Sequence, residues 1–245
     1  MADKIIIIGG GIAGLSAAQA AREADSEARI NLICGEKKLP YYRPRICEIF
    51  SGLNPDKLLV RNYQWFIDMN IEVVNGMVTS IDAEKHQVKL ADSSYLFYDK
   101  LILATGARGN IPDAKGKDKE CVVPLRFMDD IKKISELSGP VVIIGDGLLG
   151  LEAAWHLSLA GRPVAIADHN AQLLSRQLDA EAGAFFTALV EKAGVRPLLA
   201  ASLTAIDGES PSFQVHFQDG RVEEAALVVF AAGIQAETSL AKAAG

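Results

Sequence analysis

The pattern Gly-x-Gly-x-x-Gly occurs twice, and each copy stands between a short apolar run and a helix-forming stretch. Gly9, Gly11 and Gly14 follow Ile5 to Ile8; Gly145, Gly147 and Gly150 follow Pro140 to Ile144. A short run of β-branched residues ending in glycine reads as a strand buried on both faces, the condition of a strand in a parallel sheet. Helices are expected over Leu15 to Ala24 and Leu151 to Ala160, with further strands at Arg29 to Cys34 and Pro163 to Ala167. Parallel strands need a crossover, and the crossover helix covers the sheet. The chain is therefore expected to be α/β, with one β-α-β architecture used twice.

Each unit is trailed by a stretch of strand-like alternation. The first, Ile71 to Leu103, has turn signals at Asn75-Gly76 and Asp92-Ser93; the second, Val195 to Phe230, has them at Asp207-Gly208 and Asp219-Gly220. Each half thus reads as β-α-β plus a β-meander. Between Gly109 and Lys119 the composition is that of a connection. The expected domains are 1–112, 113–235 and a closing segment, 236–245. The helical stretch Glu181 to Ala193 carries Phe185, Phe186, Leu189 and Val190 at a spacing expected to pack on the sheet.

Each glycine answers a physical demand. Gly9 permits the tight turn, Gly11 lets a diphosphate approach the backbone, and Gly14 lets helix and strand pack closely. Ile12 and Ala13 are expected to present their N–H groups to the phosphates, where the helix dipole adds roughly 0.3–1 kcal/mol per exposed charge. Glu36, just beyond the second strand, is placed to hydrogen-bond a ribose. In the second turn Leu148 and Leu149 occupy the corresponding places, and Asp168 ends the following strand. A carboxylate there accepts from ribose hydroxyls and repels a 2′-phosphate, which favours NADH over NADPH. Asp146 sits in the second turn's first variable position; an acid beside a diphosphate is expected to turn its side chain away.

Composition excludes several classes. A formal net charge of −6 with scattered basic residues leaves no footprint for nucleic acid. Ile5 to Ile8 is too short for a signal segment or membrane span, so no membrane partner and a cytoplasmic protein are expected. Cys34, Cys47 and Cys121 lie far apart with no C-x-x-C spacing, and His86, His156, His169 and His216 are equally scattered, so no metal is expected. Glu152 and His156 share a helix face and read as a solvated pair.

The two glycine turns, the segment Leu101 to Arg108 between them and the segment Val228 to Ile234 resemble the FAD-dependent pyridine nucleotide-disulphide oxidoreductases. Leu39 to Pro44, followed by Ser51-Gly52, is most similar to the branch of NADH:rubredoxin reductases, ferredoxin reductases and nitrite reductase large subunits. The resemblance implies two Rossmann-like dinucleotide-binding domains, for FAD and NADH. It implies that Gly9 to Gly14 and Glu36 hold the ADP half of FAD. Arg43 and Ala104-Thr105-Gly106 would lie along the diphosphate and flavin, and Val78 would contact adenine through its backbone. Gly145 to Gly150 and Asp168 would hold NADH, with Glu152 near the nicotinamide and Gly233 near its junction with the flavin. Hydride would pass from NADH to FAD, and electrons onward to a small electron-carrier protein or fused redox domain.

Three departures from the family stand out. No redox cysteine pair is present, although Cys47 raises the alternative of a Cys47-dependent NADH oxidase or peroxidase. A small packed residue is the expected role of Cys47. Glu48 stands where relatives carry a lysine near the flavin, which reverses a charge. Family members continue past the region of Gly245 into a returning FAD segment and an interface domain, which implies a truncated chain here and a homodimer if that domain exists. A dinucleotide-binding module without turnover is the remaining alternative.

Overall fold

The computed structural model describes residues 2–245, and by its internal contacts the chain divides into two compact units. The first comprises Met1–Arg43, Asp56–Arg108 and Ala236–Gly245; the second comprises Pro44–Pro55 and Gly109–Gln235.

The first unit begins β1 (Lys4–Ile8), α1 (Ile12–Ala24), β2 (Arg29–Cys34), and continues α2 (Tyr63–Asp68), β3 (Ile71–Asn75), β4 (Val78–Asp82), β5 (Gln87–Leu90), β6 (Tyr95–Phe97) and β7 (Lys100–Leu103). A parallel sheet runs β3-β2-β1-β7, with Ile8 opposite Ile33 and Leu103. The isoleucine run is divided by the pleat. Ile5 and Ile7 pack on Leu15, Ala18 and Phe66 from the helices, whereas Ile6 and Ile8 pack on Val78, Val88 and Leu90 from the antiparallel strands β4, β5 and β6.

Arg22, near the end of α1, closes this unit in a way the sequence does not suggest. Its guanidinium donates to the carbonyls of Met69, Asp25, Ser26, Ala28 and Asn70 at 2.7 to 3.1 Å. One cation thereby satisfies the chain ends leaving α1 and α2. Arg22→Ala is expected to destabilise the chain by about 3 kcal/mol, because several partly buried carbonyls lose a charged donor together. Arg22→Lys should recover less than half of that loss, since an ammonium lacks the planar fork. Thermal unfolding of the two variants checks both expectations.

After β8 (Ala107–Gly109), the second unit runs β9 (Val122–Pro124), α3 (Met128–Glu136), β10 (Val141–Ile144), α4 (Leu148–Leu159), β11 (Val164–Ala167), α5 (Ala180–Lys192), β12 (Val195–Leu198), β13 (Leu203–Glu209), β14 (Ser212–Phe217), β15 (Val222–Ala225) and β16 (Leu227–Phe230). Its parallel sheet has the order β12-β11-β10-β16-β9, with β13, β14 and β15 as an antiparallel layer. Val142, Ile144, Val228 and Phe230 meet Phe213, Val215 and Phe217 across that layer. The chain ends with β17 (Ile234–Ala236) and α6 (Ser239–Ala244), whose Leu240 packs with Val78 and Leu90 in the first unit.

Three expectations are corrected here. The alternating stretches are not meanders throughout: β3, β7, β12 and β16 join the parallel sheets, and only the three strands between each pair are antiparallel. Asp207-Gly208 is not a turn, since both residues lie in β13 opposite Gln214 and Phe213. The reversal falls at Ser210-Pro211, where proline has no N–H to give a ladder, while Gly208 at φ +87° fits a strand that crowds Ser212. Finally, Phe185 and Leu189 are 67% and 46% exposed, so the apolar spacing of α5 does not all face the sheet. Gly183 is the buried residue of α5, against the side chain of Gln172, and Phe186 and Val190 share its side.

Candidate functional site

Both glycine turns stand at the carboxyl ends of their parallel sheets, where α/β folds bind ligands. In the first, Gly9 has φ +123°, and a Cβ there would lie 2.0 Å from the Ala104 carbonyl oxygen. A Cβ on Gly14 would lie 1.9 Å from the Gly9 oxygen, so this glycine sets how closely α1 approaches β1. A Cβ on Gly11 meets nothing within 4 Å. Gly11 therefore leaves space where the other two remove a clash. No side chain caps α1, and Ile12 and Ala13 are exposed at its first turn. Unpaired first-turn N–H groups beside open space fit the diphosphate of a dinucleotide.

The second turn repeats this geometry. Gly145 has φ +111° with a virtual Cβ 2.6 Å from the Ala231 oxygen, and the virtual Cβ of Gly150 lies 2.1 Å from the Gly145 oxygen. Gly147 again meets nothing within 4 Å, and α4 begins without a side-chain cap. Leu148 is 67% exposed and Leu149 half-buried. A cleft of about 440 Å³ opens here, lined by Gly145, Gly147, Asp168, Arg176 and Gly233 among others. That volume lies within the range of roughly 300–1,000 Å³ usual for small-molecule pockets. A hollow of about 430 Å³ in the first unit is lined by Lys4 and Arg29 at the opposite strand ends and does not include the glycine turn.

The two expected acids differ in setting. Register places Ile33 opposite Ile8 and Ala167 opposite Ile144, so Asp168 corresponds to Cys34 rather than to Glu36. Glu36 lies two residues further on, in a closed triangle. Arg43 Nη2 donates to its Oε1, Tyr41 donates to its Oε2, and Arg43 Nη1 donates to the Tyr41 oxygen, each at 2.6 Å. A carboxylate has about four acceptor sites, so Glu36 keeps capacity for a ribose while Arg43 fixes its orientation. Asp168 is 8% exposed; its Oδ2 accepts the Asp146 N–H, and its Oδ1 accepts the Asn170 amide. The Asp146 carboxylate is turned to the Leu174 N–H at 2.9 Å.

In the segment Leu101 to Arg108, Thr105 donates to the Glu237 carbonyl and the Glu237 N–H donates to the Gly106 carbonyl. Val78 is buried at the start of β4. Gly233, at φ +88°, accepts the Asn110 N–H through its carbonyl.

Cys47, Glu48 and Glu152, the candidates for chemistry near the flavin and nicotinamide, all fall within the second unit. Cys47 is 1% exposed, its Sγ lies 3.9 Å from the Leu149 oxygen, and burial followed by the Glu152 charge pushes its thiol up to about 12. Burial of this kind disfavours the thiolate form. Glu48 makes a two-pronged pair with Arg45, which holds its carboxyl below the ordinary value and sets a cation against its charge. Glu152 lies 3.5 Å from His156 Nε2, while His156 Nδ1 lies 2.8 Å from Ser51 Oγ. The sequence did not announce the Ser51–His156 contact, the Tyr41 link or the Leu174 bond; only Asp146, an acid out of place, signalled its contact. Among the described residues no cluster of metal-ligating side chains occurs, and no helix is long and apolar enough to cross a membrane.

The chain resembles known proteins along its length. The chain is 32% identical, over its whole length, to the benzene 1,2-dioxygenase system ferredoxin–NAD(+) reductase subunit of Pseudomonas putida, and covers 61% of that protein. It is 35% identical over 79% of its length to the NADH-rubredoxin oxidoreductase of Clostridium acetobutylicum, covering 51% of it. The crystal structure of the ferredoxin reductase for the CYP199A2 system of Rhodopseudomonas palustris superposes on 99% of the chain with a TM-score of 0.90 and 32% identity, using 62% of that protein. The chain thus spans between about half and three-fifths of the length of these relatives, and both of its units are Rossmann-like. Residues 3–245 match the family model described as pyridine nucleotide-disulphide oxidoreductase, and the chain belongs to that family.

Proposed function

We propose that this chain is the two-nucleotide part of an NADH-dependent flavoprotein reductase that feeds a small electron-carrier protein. The unit built on Gly9 to Gly14 holds FAD, and the unit built on Gly145 to Gly150 holds NADH. The observation that carries this reading is the repetition of one local geometry: two uncapped helices begin at glycines whose absent side chains leave open space. When bound, the two groups supply hydride transfer from NADH to flavin, and the protein contributes binding, orientation and electrostatics.

In the first unit, Ile12 and Ala13 offer backbone N–H groups to a diphosphate, and Arg43 with Tyr41 holds Glu36 in place for a ribose. In the second, Leu148 and Leu149 offer their N–H groups, and Asp168 presents a carboxylate where a 2′-phosphate would stand. That charge supports NADH over NADPH. The names of the relatives, a ferredoxin reductase subunit and a rubredoxin oxidoreductase, support an iron-sulfur or rubredoxin-like acceptor. Glu48, neutralised by Arg45, and Glu152, paired with His156, are proposed to tune the charge met by the nicotinamide and flavin.

Anaerobic addition of NADH to the flavin-loaded chain is expected to bleach the flavin band; a loaded chain that stays yellow refutes the proposal. Cys47→Ser is expected to leave the rate of that bleaching within about twofold, because a buried thiol takes no part as a thiolate. Loss of NADH-driven oxygen or peroxide turnover in Cys47→Ser, with bleaching intact, would revive the oxidase or peroxidase reading.

A further inference from the structure

Asp146 stands where the first turn has Gly10, and the comparison shows that the turn itself does not need an acid. By register, Gly10 and Cys34 occupy the places of Asp146 and Asp168. A Cβ on Gly10 would sit 2.4 Å from Cys34 Sγ, whereas the second unit leaves room for a full carboxylate. Yet that carboxylate is poorly placed on electrostatic grounds. Asp146 and Asp168 are each 8% exposed, and the Asp146 N–H donates to Asp168 Oδ2 at 3.2 Å. Burial and then the Asp168 charge raise the Asp146 carboxyl above its ordinary value. Two acids held this closely need a compensating hydrogen bond.

The compensating bond is the one from Leu174. Asp146 Oδ2 accepts the Leu174 N–H at 2.9 Å, spanning 28 residues of sequence. Leu174 has φ +51°, an uncommon conformation for a residue with a side chain. Its carbonyl accepts the N–H groups of Gln177 and Leu178 at 2.8 and 3.0 Å, so Ser175, Arg176 and Gln177 form a tight turn anchored at Leu174. Those three residues line the same cleft as Gly147 and Asp168. The turn therefore carries a guanidinium on the rim of the cleft, and its foot is tied to the glycine loop through one side chain.

We infer that Asp146 is a positioning residue: by holding Leu174 it fixes the turn that carries Arg176 relative to Asp168, and so sets which adenosine ribose, bare or 2′-phosphorylated, the cleft accepts. The inference rests on the reading that this cleft takes NADH. With the tether in place, Asp168 faces the ribose and Arg176 is confined to its turn. With the tether cut, Arg176 gains the freedom to pair with a phosphate beside Asp168.

The test is fluorescence titration of NADH and NADPH into the full chain and into three variants. Asp146→Asn keeps an acceptor for the Leu174 N–H and should hold the NADH:NADPH affinity ratio within about threefold of the parent, since the change is confined to one charge. Asp146→Ala leaves that N–H without a partner and should narrow the ratio about tenfold, a difference of roughly 1.4 kcal/mol. Adding Arg176→Ala to Asp146→Ala should return the ratio to the parent value. A merely structural role would weaken both nucleotides alike and leave the ratio unmoved. An unchanged ratio in Asp146→Ala, or equal ratios in Asp146→Ala and Asp146→Asn, overturns the inference while NADH still binds the parent. A parent chain that binds no NADH overturns the functional reading itself, and this inference with it.

Discussion

Gly14→Ala is expected to strip the first unit of its flavin. The new methyl would stand 1.9 Å from the Gly9 carbonyl oxygen and 3.3 Å from Leu32 Cδ1. The first of these is backbone and cannot rotate away, so α1 must withdraw from β1. Overpacking of this kind destabilises by roughly 1–3 kcal/mol. The larger consequence is geometric, because the withdrawn helix carries the N–H groups of Ile12 and Ala13 with it. Loss of two charge-assisted bonds of about 1.5–3 kcal/mol each predicts that FAD affinity falls by about two orders of magnitude or more. Gly11→Ala separates the two effects. Its methyl meets nothing within 4 Å, so stability should hold while the methyl blocks the approach of the diphosphate. Flavin absorbance after reconstitution and gel filtration, read beside thermal unfolding, checks both variants.

Gly150→Ala is expected to do the same to NADH and leave the flavin in place. Its methyl would lie 2.1 Å from the Gly145 oxygen, and Gly145 is itself wedged against Ala231 at φ +111°. Withdrawal of α4 would remove Leu148 and Leu149 from the diphosphate, and NADH affinity should fall by about two orders of magnitude by the same reasoning. Because Gly150 and Gly14 lie in separate compact units, each variant should spare the other nucleotide. A yellow Gly150→Ala chain that NADH no longer bleaches is the expected result. Quantitative NADH titration against the parent measures the loss.

Much of this was legible in the residues because the governing physics is local. The run Ile5 to Ile8 has the β-branched character of a doubly buried strand, and glycines at fixed spacing announce a turn that only they can make. What could not be read depends on side chains that meet across long stretches of chain. Arg22 reaches Met69 and Asn70. Asp146 reaches Leu174. Cys34 blocks any side chain at Gly10. Local rules also failed where two of them competed. Asp207-Gly208 carries a turn signal, but the neighbouring Pro211 is the residue a ladder excludes, and the reversal moved to it. On α5 the apolar periodicity was real, but it spans a wider arc than the face that touches the sheet.

The central requirement is that two diphosphates are held by two turns, independently. Equilibrium binding of FAD and NAD⁺ to the parent chain, to Gly14→Ala and to Gly150→Ala tests it directly. The expected result is one equivalent of each nucleotide on the parent without competition, loss of FAD alone in the first variant and loss of NAD⁺ alone in the second. Competition for a single site, or loss of both nucleotides from either variant with its fold intact, would contradict it.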